Sequence, residues 1–375
     1  MPVLRSKITH IRGGVEISMK AITIIPSRSG SLQLRDIPVP KTTHDEVLVK
    51  VLRVGIDGTD KEINQGLYGE PPKDTDYLVL GHEAVGIVEK TPEKFEGKYS
   101  LNQGDIVVPM VRRPDDCHYC QAGQPDMCEK GDYTERGIKG QHGFLSEYFT
   151  EEPEFLIKIP KGLENVSVLL EPLSVVEKGI RQGWKIQERM AWKPRTALVT
   201  GMGPIGILAA LILRLKELDV HVYSKEKKDD PRVKLLEKAG INYHESTTSL
   251  RDFPDRIAKS IDFILEATGN SIIAMDATRI IGINGAVCLT GVTGGHKEIQ
   301  LCADCWNLHL VLGNRLIYGT VNANKVDFEN GLIHMKEIQS KFPNLLERMI
   351  TGKFSPDQFK EAIEKYQGLK AIIEF

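Results

Sequence analysis

TALVTGMGPIGILAALIL, residues 196–213, changes character twice. It opens with the short apolar run Ala197-Leu198-Val199, which suits a buried parallel strand. It passes through Gly201-Met202-Gly203-Pro204-Ile205-Gly206 and continues in leucine, isoleucine and alanine, as a buried helix does. Strand, glycine turn and helix in this order form the fingerprint of a dinucleotide-binding unit. Gly201 permits the tight turn, Gly203 lets a pyrophosphate approach the backbone, and Gly206 lets helix and strand pack closely. The helix N-terminus then presents unpaired N–H groups and a partial positive charge to the phosphates. A packing turn would carry the same glycines; the matching elements on both sides favour the cofactor.

Working outward, short apolar runs recur after residue 196. Ala197–Thr200, Val220–Tyr223, Ile241–His244, Phe263–Glu266, Ala286–Leu289 and Leu316–Tyr318 read as strands, with helical segments between several of them. That alternation predicts an α/β unit with a doubly wound parallel sheet. Upstream, the pattern from Val47 to Val111 is β-rich: Val47–Leu52, Ala84–Val88 and Ile106–Val108 are candidate strands in an irregular, barrel-like domain. Arg112 to Gly143 is loop-rich, Phe144 to Ile159 returns to short strands, and Leu170 to Gln187 reads as a helix with Pro172 in its first turn. Near the C-terminus, Phe359, Ala362, Ile363 and Tyr366 mark one face of an amphipathic helix, and Ala371–Ile373 a last strand returning to the first domain. Met19 reads as an alternative translation start, which would leave residues 1–18 as an N-terminal extension.

At 375 residues the chain has room for two full cores. Its 49 basic and 51 acidic residues nearly cancel, so nothing points to nucleic acid or an anionic membrane as a partner. The longest apolar run, Ile205–Leu213, falls far short of the ~20 residues that span a bilayer. No secretory pattern opens the chain, so a cytoplasmic location is expected.

Two clusters carry metal-type chemistry. Asp57, His82 and Glu83, with Glu171 as a further contributor, supply oxygen and nitrogen donors of the kind a catalytic zinc site uses, although by spacing alone His82 reads more readily as a satisfied loop residue. Cys117-x2-Cys120-x7-Cys128 places three thiols in a polar loop, a spacing hard to ascribe to packing, with Asp115 or Asp116 as the natural fourth ligand of a structural metal. The pair Cys302-x2-Cys305, near His309, reads as a core or surface pair inside a helical segment, with redox or metal chemistry as the alternative, and receives no role.

These residues resemble the medium-chain, zinc-dependent alcohol and polyol dehydrogenases from Met19 onward, and among them the archaeal glucose 1-dehydrogenases. The resemblance rests on Gly55-Ile56-Asp57-Gly58-Thr59-Asp60, Leu80-Gly81-His82-Glu83-Ala84, Pro125-Asp126-Met127-Cys128, Glu135-Arg136-Gly137-Ile138, Glu171-Pro172-Leu173 and the glycine turn. It implies a GroES-like catalytic domain of residues 1–187 and 322–375 and a Rossmann NAD(P)-binding domain of residues 188–321. It implies a catalytic zinc at Asp57 and His82, with Glu83 and Glu171 at or near it. Most of the family has cysteine where Asp57 stands, so this site is richer in oxygen. A structural zinc is implied at Cys117, Cys120 and Cys128; the family's first cysteine falls at Pro114, which leaves Asp115 to substitute.

The implied reaction oxidises the C1 hydroxyl of an aldose, D-glucose to D-glucono-1,5-lactone first among them, with hydride passing to nicotinamide in the cleft between domains. Galactose or a pentose is the alternative substrate, and a metal-free nucleotide-binding protein the non-catalytic one. Thr59 and Glu83 would move the proton. Glu83, Glu135, Glu171 and Asn322 would meet the sugar, whereas Val175 and Leu312 replace sugar-holding residues of some relatives. Thr268, Gly269, Gly291, Val292 and Asn322 are expected at the cofactor. After Tyr223, Ser224 leaves room for a 2′-phosphate, and Lys225, Lys227 and Lys228 would bind it, so NADP is expected over NAD; Glu226 stands where relatives often carry a base. A homodimer or homotetramer is implied by the family alone.

Overall fold

In the computed structural model, residues 8–11, 14–92, 101–292, 294 and 296–375 are described. The chain divides into two units, one of Met1–Glu171, Asn324–Glu329 and Met349–Phe375, the other of Pro172–Ala323 and Asn330–Arg348. The first boundary falls at Glu171, earlier than the Gln187 expected from sequence. Of the supposed N-terminal extension, Ile8–Ile11 pairs antiparallel with the strand Gly14–Ile24, and Met1–Lys7 lies outside the described residues.

In the first unit, strand β1 (Val47–Ile56) runs into the short helix α1 (Gly58–Asn64). Asp57 caps α1 and exchanges hydrogen bonds with Asp60, satisfying donors that a helix start leaves open. Strand β2 (Glu83–Lys90) pairs antiparallel with β1 and places Glu83 opposite Gly55. The C-terminal strand Lys370–Glu374 pairs with the other edge of β1. All three belong to a seven-stranded sheet among the described residues. Strand β3 (Thr134–Arg136) lies in a separate three-stranded sheet.

The second unit is built on helix α2 (Leu170–Gln187) and six strands: β4 (Thr196–Thr200), β5 (Asp219–Ser224), β6 (Asn242–Glu245), β7 (Phe263–Glu266), β8 (Ala286–Leu289) and β9 (Leu316–Gly319). They are parallel throughout, in the order β6-β5-β4-β7-β8-β9. The order reverses between β4 and β7, and ligands of such sheets bind beyond the strand C-termini at this switch point. Helix α3 (Pro204–Leu215) follows β4 and buries Gly206 to Leu213 and Leu215. Each large aliphatic side chain buried there contributes about 1.5–3 kcal/mol. Helices α4 (Pro231–Lys238), α5 (Ser271–Ile280) and α6 (Ala303–Leu312) complete the parts used below.

The segment expected as a C-terminal amphipathic helix buries the expected face, Phe359, Ala362 and Ile363. Its backbone differs: a 3-10 turn over Pro356–Gln358 is followed by π-type winding over Glu361–Lys365, with Tyr366 N–H bonding to the Glu361 carbonyl. Apolar spacing reports the face and is too coarse to separate these windings in so short a segment.

Candidate active site

β1, α1 and β2 converge on Asp57, His82 and Glu83. One donor atom from each lies within 4.8 Å of the others. His82 Nε2 stands 3.5 Å from Asp57 Oδ2, and its Nδ1 is buried with no hydrogen-bond partner. Thr59 Oγ1 donates to Asp57 Oδ2 at 3.0 Å. Asp60 Oδ1 accepts from Gly81 N–H at 3.1 Å, tying α1 to the turn that delivers His82. Gly81 has φ +85°, and a Cβ there would strike Leu145 and Val54. At Gly55 a Cβ would lie 2.0 Å from a Glu83 carboxylate oxygen, so this glycine makes room for Glu83.

Glu83 has a partner that the sequence did not show. Lys370 Nζ donates to both its carboxylate oxygens, 2.7 Å to Oε1, and lies 3.4 Å from the Ile56 carbonyl. Both side chains are almost wholly buried. Burial works against the Lys370 ammonium, but the Glu83 and Asp57 carboxylates hold it above the ordinary lysine value. Nothing near Lys370 in the chain points to Glu83, 287 positions away.

The pocket's electrostatics are those of crowded acids around one imidazole. Burial would raise Asp57, yet the His82 charge and hydrogen bond, with Lys370, hold it well below the usual carboxylate range. Asp60 is pushed up to about 7 by burial and by Asp57. Glu171 is pushed up to about 8 by burial and the charges of Glu83 and Asp57. Glu171 thus feels the cluster electrostatically while standing outside the 4.8 Å donor set. An anionic, buried oxygen-and-nitrogen set with an orphaned imidazole nitrogen fits a divalent cation.

Glu135, expected at the sugar, is held in place by a neighbouring arginine. Arg112 grips Glu135 Oε1 through Nε at 3.0 Å and Nη2 at 2.9 Å, while stacking over Tyr133. Gly137, after β3, packs on the Gly81 carbonyl, where a Cβ would come within 2.5 Å. Tyr68, which sequence reasoning passed over, hydrogen-bonds with Thr59 and is 38% exposed, with its phenol raised by burial.

The cysteine lobe closes as a second donor set. Asp115, Cys117, Cys120 and Cys128 each place a donor within 4.8 Å of the rest. Cys128 Sγ donates to Asp115 Oδ2 at 2.9 Å and lies 3.8 Å from Cys117 Sγ. Backbone N–H groups of Cys120 and Gly131 point at the Cys117 and Cys128 sulfurs. Burial pushes the Cys120 thiol up to about 12. Three thiols and a carboxylate at this range match the donor chemistry of a closed zinc site. Asp116 is turned away to Lys130.

In the second unit the expected cofactor residues gather at strand C-termini. Gly201, after β4, has φ +96°. Gly203 caps α3 without a side-chain hydrogen bond, and a Cβ there would meet nothing within 4 Å. A Cβ on Gly206 would lie 2.2 Å from the Gly201 carbonyl. The uncapped N–H groups, beside open space and Pro204 and Ile205, form a cradle that suits a pyrophosphate. Thr268-Gly269, after β7, packs on Gly291-Val292, after β8; a Cβ on Gly269 would come 2.7 Å from the Val292 carbonyl. Buried Glu266 orders this corner by accepting from the Thr268 N–H and hydroxyl. Lys178 Nζ holds the Val321 carbonyl at 2.8 Å, next to Asn322 with its φ of +59°.

At the end of β5 the structure departs from expectation. Ser224 is buried, and its hydroxyl donates to Glu226. Glu226 Oε1 also lies 3.4 Å from Arg232 Nη1, and Arg232 is forked onto Asp230. Ser224 therefore does more than leave room. Lys225, Lys227 and Lys228 are exposed. Cys302 and Cys305, expected as a core or surface pair inside a helical segment, are exposed and form a disulfide at the N-terminus of α6.

Residues 43–161 match the alcohol dehydrogenase GroES-like domain, and residues 164–375 the glucose dehydrogenase C-terminus. Glucose 1-dehydrogenase of Methanocella arvoryzae is 44% identical over 95% of this chain and 99% of its own length. Glucose 1-dehydrogenase 1 of Caldivirga maquilingensis is 41% identical with the same coverage. Haloferax mediterranei glucose dehydrogenase, solved in complex with NADP, Zn and gluconolactone, superposes with a TM-score of 0.87 at 33% identity, covering 95% of this chain and 99% of that one. The chain belongs to the glucose dehydrogenase family of medium-chain zinc alcohol dehydrogenases.

Proposed function

We propose that this chain is a zinc-dependent glucose 1-dehydrogenase that oxidises D-glucose at C1 to D-glucono-1,5-lactone and passes the hydride to NADP+. The observation that carries the proposal is the Asp57–His82–Glu83 donor set, present in a chain whose full-length relatives bear that name. Asp57 and His82 would hold the metal, with Glu83 beside them and Glu171 as an outer carboxylate. When bound, zinc supplies Lewis acidity toward the C1 oxygen, and the nicotinamide accepts the C1 hydride.

The remaining work falls to this chain's side chains. Thr59 Oγ1 donates to Asp57, which leaves its lone pairs to accept the C1 hydroxyl proton. Tyr68, hydrogen-bonded with Thr59 and part exposed, would complete the relay: as Thr59 takes the C1 proton it turns its own hydroxyl proton from Asp57 to the Tyr68 oxygen, and Tyr68 releases its phenolic proton to solvent. Lys370 fixes the Glu83 carboxylate. Glu135, held by Arg112, presents a preset acceptor for sugar hydroxyls. The C1–H electron pair leaves with the hydride and the hydroxyl proton leaves through Thr59, so the sugar becomes the lactone. A cytoplasmic homodimer or homotetramer completes the proposal.

A panel of aldoses assayed with both cofactors, with the product identified by NMR, tests the proposal. D-glucose with NADP+ should give the highest kcat/KM and yield the 1,5-lactone. A clear preference for galactose or a pentose, or a ketose product, would replace the substrate assignment.

At the second donor set, Asp115→Ala or Cys128→Ser is expected to remove about one zinc per chain, read by elemental analysis, and to lower the melting temperature of the first unit. Unchanged zinc content would reject a structural metal there. At the cofactor, Lys225 and Lys228 favour NADP+ while Glu226 opposes a second phosphate charge. Glu226→Lys is expected to raise the ratio of kcat/KM for NADP+ over NAD+ by about tenfold, or about 1.4 kcal/mol. A fall in that ratio would contradict the placing of the 2′-phosphate.

A further inference from the structure

The cysteine pair to which the dehydrogenase chemistry gives no role is joined by a disulfide at an exposed helix start. Cys302 is the N-cap of α6 and Cys305 its third residue, and both are exposed. The bridge encloses only two intervening residues, so it restrains the unfolded chain far less than a long-loop disulfide does. It staples no core either, because none of the ten residues of α6 is buried. Exposed bridges with little structural duty are the labile, exchange-prone ones.

Its surroundings favour exchange. Cys302 Sγ accepts the Cys305 backbone N–H at 3.4 Å, and the first turn of α6 adds the positive end of its dipole. Cys302 and Cys305 share a cavity of about 660 Å³ with Arg251, Arg279, Trp306 and His309. Both guanidiniums lean on a single carboxylate, Asp276, at 2.8 and 3.6 Å, which leaves the cavity wall net positive. A thiolate at Cys302 is therefore stabilised by an N–H, a helix terminus and nearby cations, the setting that lowers a thiol's pKa and makes it a good leaving group.

We propose that Cys302 and Cys305 form an exchange-active dithiol–disulfide couple whose closed state tightens cofactor binding. The partner is a dithiol. Its first thiolate attacks Cys305 Sγ, and Cys302 leaves as the thiolate. Its second thiolate then attacks the dithiol's own sulfur in the mixed disulfide and releases Cys305. Two electrons pass to the protein, two protons settle on Cys302 and Cys305, and the dithiol leaves as its disulfide. A disulfide-bearing partner runs the sequence backwards.

The link to the cofactor runs along the chain and rests on the cofactor assignment above. α6 lies on the crossover between β8 and β9. That crossover begins with Gly291 and Val292, and β9 leads to Asn322, all three assigned to the cofactor. With no buried residue, α6 has its first turn fixed by the bridge, which links its N-cap to its third residue, while Trp306 Nε1, next to Cys305, ties that turn to Thr278 of α5 at 3.1 Å. Opening the bridge lets the first turn fray and loosens the Trp306 tie that positions the crossover.

The test uses the full chain equilibrated in reduced or oxidised dithiothreitol. Free thiols are trapped with a maleimide and the 302–305 peptide is weighed; NADP+ binding is titrated by fluorescence on the same samples. The bridge should open and re-form reversibly, with NADP+ bound about fivefold more tightly by the closed form. The difference should vanish in the Cys302→Ser/Cys305→Ser variant, which also controls for dithiothreitol acting at Cys117, Cys120 and Cys128. A bridge that resists the dithiol in the folded protein, or opens with no change in the NADP+ Kd, overturns the proposal. Failure of both forms to bind NADP+ overturns the cofactor assignment and the coupling with it, while the trapped fraction still reports separately on exchange.

Discussion

His82→Ala is expected to lower kcat/KM for D-glucose by at least about 1,000-fold, or about 4 kcal/mol of transition-state stabilisation. His82 supplies the one nitrogen in a donor set that is otherwise carboxylate. Its removal leaves Asp57 and Glu83 facing each other, and Glu83 is already engaged by Lys370. Zinc at this site should be lost, while NADP+ affinity, which depends on the second unit, should stay within about twofold. Retained turnover in the variant would show that the metal is held elsewhere.

Lys370→Met is expected to have the largest effect on stability. It leaves the Glu83 carboxylate buried beside Asp57 with its main counter-charge gone, and breaking a buried pair in this way costs about 3–5 kcal/mol. Chemical denaturation of the zinc-free protein should show the loss. The Glu83→Gln/Lys370→Met variant should recover much of it, because no unpaired charge then remains. If the double variant is as unstable as the single one, packing rather than charge sets the effect. The pair also explains a feature of the fold: the C-terminal strand returns to β1, and its first residue is the lysine that fixes Glu83.

The legible parts of this protein were those encoded locally. The β4–α3 fingerprint, the parallel strands and helix α2 follow from apolar period and from glycines and prolines at turns, and each spans fewer than twenty residues. The Cys117–Cys128 cluster was visible because metal chemistry restricts residue types within a short loop; Asp57 and His82, on separate segments, stood out only through the family motifs that carry them. What escaped depends on contacts that only the folded chain makes, across a long sequence separation in one case and within turns and loops in the others. Lys370 opens an apolar strand, where a lysine ordinarily reads as solvated, and only the antiparallel pairing with β1 brings it to Glu83. Arg232 reaches Glu226 across the turn that leads into α4. Tyr68 meets Thr59 through the fold of the loop after α1. The Cys302–Cys305 bridge was missed because spacing alone does not separate two free cysteines from a bonded pair.

The most direct test of the central claim is D-glucose-dependent NADPH formation by one preparation measured as purified, after exhaustive chelation and dialysis, and after zinc is restored. Activity should fall to background on chelation and return with zinc, in step with the zinc bound per chain. Full activity in chelated protein shown by elemental analysis to hold no metal would contradict a metal-dependent reaction at Asp57 and His82.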